Sequence, residues 1–175
     1  MSHSLHLILG GSRSGKSRRA EELARESGRP VVYIATYATT TPDAEMQTRI
    51  EQHRVRRPKD WKTIENRFDL KNLLAENAKA LILLDCLTLW LSYRQMESRD
   101  SEILAELDEA LRSAGENGQH LIFVSSEVGA GIVPVSAEAR RFRDLVGSAN
   151  QLTARHATRV EFMVAGLPLV LKGTS

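Results

Sequence analysis

The sequence predicts an α/β fold, in which a mostly parallel β-sheet is flanked by helices and ends in an antiparallel C-terminal hairpin. Short apolar runs of strand length alternate with longer segments whose apolar residues have helical spacing. Parallel neighbours need crossover connections, which helices supply, whereas the last two apolar runs are joined by a short turn. A chain of 175 residues with 42% hydrophobic content can bury one core, so we expect a single domain over residues 1–175.

The first strand and the first helix are predicted near the amino terminus. The apolar run of residues 5–9 ends at Gly10 and Gly11, which indicates a buried strand that enters a tight loop. Apolar residues at helical spacing then predict a helix over residues 17–27, which Gly28 ends. A strand, a glycine loop and a helix therefore follow one another directly.

Two further strands and a charged helix are predicted in the next part of the chain. The apolar residues 31–34 predict the second strand, and residues 61–64 predict a short third one. Between them, the polar stretch 36–41 breaks the pattern, and residues 43–57 are predicted to form a helix with many charges and few apolar residues. That helix is expected to contribute little to a core.

The middle of the chain predicts the centre of the sheet. Residues 68–78 are predicted to form a helix, and the near-continuous apolar run 80–84 suits a parallel strand that is buried on both faces. Asp85 ends that run, and helical spacing resumes over residues 86–96 and 101–114. We therefore expect Asp85 at the carboxyl end of a central strand.

The last third of the chain predicts one more buried strand, a long helix and the hairpin. Residues 121–124 are apolar and precede a glycine-rich loop, and residues 136–154 have helical spacing. The closing strands are predicted over residues 160–164 and 167–171.

The overall composition gives little reason to expect nucleic acid as a partner. Twenty-four Lys and Arg against 22 Asp and Glu leave a formal charge of +2.

The single cysteine, Cys86, has no Cys or His neighbours at metal-ligand spacing. Residues 1–9 lack a basic region followed by a long apolar stretch, and no apolar run approaches a membrane span. We therefore expect a cytoplasmic protein.

Eight consecutive residues match the Gly-x-x-x-x-Gly-Lys-[Ser/Thr] pattern of a phosphate-binding loop: Gly10, Gly11, Ser12, Arg13, Ser14, Gly15, Lys16 and Ser17. Glycine dihedrals let successive N–H groups converge on phosphate oxygens, and the following helix presents the positive end of its dipole. Lys16 would bridge the terminal phosphates of a nucleoside triphosphate, and Ser17 would ligate Mg²⁺. The pattern predicts a P-loop NTPase-like, RecA-like fold that performs phosphoryl or nucleotidyl transfer. The alternative is an ordinary glycine turn before a helix.

Asp85 is a second candidate ligand for Mg²⁺. It follows the predicted central strand, at the position where a carboxylate beside the phosphate loop holds the ion directly or through water. The alternative is that Asp85 caps the helix that begins at Cys86, because Asp also favours that position. The two roles are compatible.

The charged segment of residues 45–58 places one histidine, His53, among four arginines. That composition suits a surface that faces a triphosphate, and imidazole titrates near neutrality. Taken alone, the same pattern also describes a solvated helix.

An ordered series of motifs accompanies the phosphate loop: Tyr33-Ile34-Ala35-Thr36; Glu45-Met46, Arg49-Ile50, His53, Arg57-Pro58, Trp61, Thr63 and Glu65; Asp85-Cys86-Leu87-Thr88; Glu127-Val128-Gly129-Ala130-Gly131-Ile132-Val133-Pro134; and Phe142-Arg143-Asp144, Gly147, Asn150 and Gln151. Together they resemble the bifunctional adenosylcobinamide kinase/adenosylcobinamide-phosphate guanylyltransferase family of cobalamin biosynthesis. The resemblance covers nearly the whole chain and is far more specific than the phosphate loop alone.

The resemblance implies phosphorylation of adenosylcobinamide, followed by transfer of GMP from GTP to adenosylcobinamide phosphate with release of pyrophosphate. It implies a guanylyl-histidine intermediate, for which His53 is the candidate nucleophile, and this chain has Gln52-His53 where some relatives have two adjacent histidines. It also implies a homotrimer that binds GTP, and ATP as a second candidate for the kinase step. The residues that fall where the family contacts the nucleotide are Ala35, Thr36, Tyr37, Arg54, Val55, Arg56, Arg57, Glu65 and Asp85.

Two other functions remain compatible with the sequence. One is a simple small-molecule kinase without a covalent step. The other is a nucleotide-dependent switch or a nucleic-acid-associated ATPase, with residues 54–57 as the contact patch.

Overall fold

The computed structural model describes residues 3–37, 48, 51, 54–55 and 57–173. The helix predicted over residues 43–57 therefore lies largely outside the described residues, although positions 48, 51, 54 and 55 have helical backbone. The predicted nucleophile His53 and the predicted nucleotide contact Arg56 also lie outside them.

A seven-stranded sheet forms the centre of the described chain. Its strands are β1 (Ser4–Gly10), β2 (Val31–Ala35), β3 (Lys62–Glu65), β4 (Leu81–Asp85), β5 (His120–Val124), β6 (Arg159–Val164) and β7 (Leu167–Lys172). The spatial order is β3-β2-β4-β5-β1-β6-β7, and every neighbouring pair is parallel except the hairpin β6–β7. The predicted parallel sheet with its antiparallel C-terminal hairpin is confirmed.

The helices of the described segments are α1 (Lys16–Glu26), α2 (Leu70–Glu76), α3 (Leu87–Arg94), α4 (Asp100–Glu116) and α5 (Ala137–His156). Helix α2 begins two residues later than predicted. The Phe68 carbonyl accepts the indole N–H of Trp90 of α3 at 2.7 Å and the Leu70 N–H at 3.0 Å, and neither donor is the amide four residues on that a helical turn requires. No helix within the described ranges combines the length and the apolar character that crossing a membrane requires.

The sheet buries an apolar layer on each face. On one face, Leu7 and Phe123 belong to a core that includes Trp90 of α3 and residues of α4 and α5. On the other face, Ile8 and Tyr33 pack in a core with the first helix, α1. Successive residues of a strand point to opposite faces, so both faces of the central strands are buried, as their continuous apolar runs predict.

A buried carboxylate fixes α1 to the sheet. Glu161 of β6 is fully buried and accepts hydrogen bonds from Arg19 of α1 at 2.9 and 3.1 Å. Arg159 donates to the same carboxylate at 3.0 Å, and His6 Nε2 lies 3.5 Å from it. A buried charge is costly unless it is paired, so this cluster holds α1 in one position on the sheet.

The strand order decides which loops meet. Strand β5 lies between β1 and β4, and Val124 is opposite both Ile8 and Asp85. Because parallel strands end at the same edge of a sheet, the loops that follow β1, β2, β4 and β5 share one edge. Ligands of such sheets bind in the crevice at that edge.

Candidate active site

The phosphate loop connects β1 to α1, and its backbone requires glycine at two positions. Gly10 has a φ of 149°, and a Cβ there would lie 2.6 Å from the Met163 carbonyl oxygen. Gly15 has a φ of 98° and immediately precedes α1, whose first turn carries no acidic side chain. The free N–H groups at the start of α1 are therefore available to an anion without competition from a local carboxylate.

Lys16 and Ser14 supply polar groups within this loop. The Lys16 residue is only 9% exposed, and its Nζ donates to the Gly11 carbonyl at 2.6 Å. Burial lowers the pKa of Lys16 from its ordinary value, and the neighbouring Cys86 and Asp85 oppose that shift. Ser14 Oγ is buried and has no hydrogen-bond partner among the described residues. A phosphate in the loop would satisfy both groups.

The loop opens into a cleft of about 750 Å³ at the carboxyl edge of the sheet. Ten of the residues predicted to bind nucleotide or to act in transfer line it: Ser12, Arg13, Lys16, Ser17, Ala35, Tyr37, Arg54, Arg57, Glu65 and Asp85. The structure thus brings the phosphate loop, the ends of three strands and part of the charged segment to one cavity.

The other predicted site residues that the structure describes do not line this cleft. Gly10, Gly11, Ser14 and Gly15 contribute to the backbone of the phosphate loop without lining the cleft. Val55 does not line the cleft either, and it is 77% exposed.

Thr36 is buried behind the cleft. Its Oγ1 donates to the Cys86 carbonyl at 2.7 Å and accepts the Cys86 N–H at 2.8 Å. Its place in the fold is therefore to join the ends of β2 and β4. Burial raises the pKa of the Cys86 thiol to about 12, so this cleft residue stays protonated at neutral pH and is a poor nucleophile.

Asp85 lies at the end of β4 and shares the cleft with Ser17. Its Oδ2 accepts the hydroxyl of Tyr33 at 2.6 Å. Cys86, not Asp85, is the N-cap residue of α3. Across the described ranges, no three His, Cys, Asp or Glu side chains converge into a metal site. The hydroxyl and carboxylate oxygens of Ser17 and Asp85 fit Mg²⁺ that completes its coordination with phosphate oxygens and water.

Opposite the phosphate loop, two arginines surround Glu65. Arg54 Nη2 donates to Glu65 Oε2 at 2.8 Å, and this hydrogen bond raises the pKa of Arg54. The Arg57 side chain is only 8% exposed, and its guanidinium lies 3.8 Å from the centre of the Tyr33 ring. Its Nη1 is 3.9 Å from Glu65 Oε1. We call Arg54, Arg57 and Glu65 the arginine wall. It carries two guanidinium groups, and the hydrogen bond from Arg54 fixes the position of the Glu65 carboxylate.

Comparison with known proteins identifies the family. A sequence model of the CobU family, described as cobinamide kinase / cobinamide phosphate guanyltransferase, matches residues 6–171. The chain belongs to this family. The matched range includes the phosphate loop, the Arg54–Glu65 pair and Asp85, and the resemblance that the sequence motifs indicate is confirmed.

Named relatives of the CobU family match nearly the whole chain. The bifunctional adenosylcobalamin biosynthesis protein CobP of Pseudomonas aeruginosa is 46% identical over 169 residues, which cover 95% of this chain and 96% of the relative. The bifunctional adenosylcobalamin biosynthesis protein CobU of Escherichia coli is 36% identical over 184 residues, which cover 95% of this chain and 98% of that relative. The solved structure of a KaiC-like protein of Pyrococcus horikoshii aligns with this chain at a TM-score of 0.54 and 12% identity. The alignment covers 98% of this chain and 80% of the KaiC-like protein. At that identity the likeness shows the fold alone.

The third wall of the CobU-family cleft comes from residues to which the sequence assigns no chemistry. Ser126, Glu127 and Val128, which follow β5, line the cleft with Thr88 and Leu89 of α3. Because Glu127 follows the carboxyl end of a buried strand, the sequence predicts that it borders the crevice, but the sequence assigns a chemical step to none of these residues. The available signal was the pair of serines directly after a buried strand, where parallel sheets carry their ligands.

Proposed function

We propose that the protein phosphorylates adenosylcobinamide and then transfers GMP from GTP to the product, giving adenosylcobinamide-GDP and pyrophosphate. The observation that carries this proposal is the single cleft that joins a phosphate loop to Asp85 and to the Arg54–Glu65 pair. Membership of the CobU family supports both reactions, and the named relatives are described as bifunctional.

The phosphate loop and α1 would bind the triphosphate. The N–H groups at the start of α1 and the Lys16 ammonium would contact the phosphate oxygens, with Ser17 and Asp85 as the ligands of Mg²⁺. When bound, Mg²⁺ neutralises charge on the phosphates. GTP is the nucleotide of the guanylyl step, and ATP is a second candidate donor for the kinase step.

Glu65 would select guanine on the opposite wall. A carboxylate can accept hydrogen bonds from both N1–H and the N2 amino group of guanine, whereas adenine has no donor at those two positions. Glu65 lines the same cleft as the phosphate loop, which supports this role. Arg54 and Arg57 would then be free to contact the phosphates.

His53 would form the covalent intermediate. An imidazole nitrogen attacks the α-phosphorus of GTP, the bond from that phosphorus to the departing pyrophosphate breaks, and a guanylyl-histidine results. A phosphate oxygen of adenosylcobinamide phosphate then attacks the same phosphorus, and the phosphorus–nitrogen bond breaks. His53 itself lies outside the described residues, but its neighbours in sequence, Glu51 and Arg54, line the cleft.

The intermediate is tested by incubating the protein with α-labelled GTP and Mg²⁺. We expect a protein-bound label that is acid-labile and base-stable, as a histidine phosphoramidate is, and that is lost in His53→Ala. His156→Ala is the matched control, because His156 lies at the end of α5 and contacts Asp108. An unlabelled wild-type protein, with γ-label transferred to a soluble product, would establish a simple kinase. A labelled His53→Ala protein would place the nucleophile elsewhere.

A homotrimer is the proposed assembly. The edge strand β7 leaves Leu167, Leu169 and Leu171 exposed at 71%, 58% and 58%, and apolar surface of this kind favours association. This supports assembly without identifying the interface.

A further inference from the structure

We propose that the wall formed by Ser126, Glu127 and Val128 is the acceptor subsite, in which Glu127 accepts the proton of the cobinamide aminopropanol hydroxyl during the kinase step. This inference rests on the proposed function. The nucleotide has candidate contacts on the phosphate loop, Asp85 and the arginine wall, whereas this third wall of the same cleft is left for the second substrate.

The sheet topology places this wall beside the phosphates. Strand β5 runs between β1, which leads into the phosphate loop, and β4, which ends at Asp85. The chain therefore leaves β5 between the phosphate loop, which is predicted to bind the phosphates, and Asp85, which is predicted to bind Mg²⁺. The Glu127 backbone N–H donates to the Gly10 carbonyl at 3.0 Å, which ties this residue directly to the start of the phosphate loop.

Glu127 differs in its partners from Glu65 and Asp85, the two cleft carboxylates that are assigned to the nucleotide and its metal ion. Glu65 is paired with Arg54, and Asp85 accepts the Tyr33 hydroxyl. In the described part of the chain, Glu127 accepts only the Gly129 N–H and forms no ion pair. A carboxylate has about four acceptor positions, so capacity remains for a substrate donor. A carboxylate oxygen with a free acceptor position can accept the hydrogen bond that an alcohol hydroxyl donates.

A buried hydrogen-bond network holds the backbone that carries Glu127. Thr88 Oγ1 accepts the Ser126 N–H at 2.8 Å and lies 3.2 Å from Ser125 Oγ. Ser125 Oγ donates to Asn150 Oδ1 at 2.6 Å, and Asn150 Nδ2 donates to the Ser126 carbonyl at 3.2 Å. Thr88 of α3, Asn150 of α5 and Ser125, which directly follows β5, thus fix the residue before Glu127. Such support is what a positioned proton acceptor requires.

In the proposed step, the hydroxyl oxygen of the aminopropanol arm attacks the γ-phosphorus of the nucleotide. The bond between that phosphorus and the β–γ bridging oxygen breaks, and the nucleoside diphosphate leaves. The hydroxyl proton passes to the Glu127 carboxylate, which returns it to solvent. The guanylyl step does not need this transfer, because its acceptor is already a phosphate anion.

Glu127→Gln tests the role, because glutamine keeps the shape and the carbonyl oxygen that accepts the Gly129 N–H but removes the base. We expect the kcat for phosphorylation of adenosylcobinamide with γ-labelled nucleotide to fall about 100-fold or more. Nucleotide affinity, protein labelling by α-labelled GTP and GMP transfer to supplied adenosylcobinamide phosphate should stay within about threefold of wild type. Glu138→Gln is the control, because Glu138 is exposed in the first turn of α5. It should leave the kinase kcat, nucleotide affinity, protein labelling and GMP transfer unchanged.

Two results would overturn the inference. A Glu127→Gln protein with kinase kcat within threefold of wild type would show that no proton passes to this group. A parallel loss of kinase, guanylyl transfer and nucleotide affinity would show that Glu127 shapes the cleft as a whole. If the wild-type protein phosphorylates no cobinamide, the proposed kinase function itself fails, and the role of Glu127 fails with it.

Discussion

At the scale of single residues, the cleft combines groups that depend on their neighbours for their chemistry. Arg57 lies over Tyr33, Tyr33 donates to Asp85, and Arg54 holds Glu65. The family resemblance predicted Glu65 as a nucleotide contact, and the position of Asp85 after a central strand predicted it as a ligand of Mg²⁺. Their partners could not be predicted, because Tyr33 and Asp85 are 52 positions apart and meet only through the pairing of β2 with β4.

Glu65→Gln should reduce the preference for GTP over ATP. The amide oxygen of glutamine can accept one of the two guanine N–H donors, whereas the carboxylate accepts both with the strength of a charged hydrogen bond. We expect GTP affinity to fall about 10-fold or more and ATP affinity to change little, measured by calorimetric titration. Glu76→Gln, an exposed change in α2, is the control. Equal losses for both nucleotides would remove Glu65 from base selection.

His6 should make the folded protein less stable in mild acid. Burial lowers the pKa of His6 from 6.5 to about 4, with Arg159 and Arg19 adding to the shift and Glu161 opposing it. Between these pH values the unfolded chain binds more protons than the folded one, so the free energy of unfolding decreases as pH falls from 6.5 toward 4, by up to about 3 kcal/mol.

Urea unfolding of wild type and His6→Gln at a series of pH values measures this effect. The wild type should lose stability relative to His6→Gln across that window. Parallel curves for wild type and His6→Gln would show that His6 titrates alike in the folded and unfolded chains.

At the scale of elements, local signals predicted the presence of each described helix and strand but not every boundary. Strand β3 ends at Glu65, one residue beyond the prediction, because Glu65 pairs with Ala35 of β2. The late start of α2 depends on the Trp90 indole that Phe68 binds. Both boundaries are set by contacts between elements, which apolar spacing does not contain.

The amino end of α5 depends on one capping side chain. Ser136 Oγ accepts the N–H of Ala139 at 3.3 Å. Ser136→Ala leaves that N–H without its cap, so we expect the free energy of unfolding to fall by about 1 kcal/mol in chemical denaturation. Ser148→Ala, an exposed serine within the same helix, controls for the general effect of the substitution. An unchanged midpoint for Ser136→Ala would show that water caps this helix equally well.

At the scale of the whole molecule, the alternating pattern predicted the parallel sheet, and the glycine motif predicted a loop between β1 and α1, at the edge where the cleft lies. The strand order was not predictable, because helical crossovers do not say which strands become neighbours. That order puts β5 beside β1 and so places Ser126 and Glu127 in the cleft. The sequence predicted that Glu127 borders the crevice, whereas the place of this third wall between the phosphate loop and Asp85 is a product of topology.

The proposed homotrimer predicts self-association, to which the exposed leucines of β7 would contribute. We expect light scattering to give a mass about three times the 19.5 kDa of one chain. Leu169→Lys, which adds a charge to this face, tests whether β7 takes part in the contact. A monomeric wild-type mass at micromolar concentration would rule out the trimer.

The most direct test of GMP transfer through this cleft is a chase of the labelled protein. Protein labelled with α-labelled GTP is freed of nucleotide and incubated with unlabelled adenosylcobinamide phosphate. We expect the label to leave the protein and to appear in adenosylcobinamide-GDP, in equal amounts. Label that stays on the protein, or that is released only as free GMP, would contradict transfer through a guanylylated enzyme.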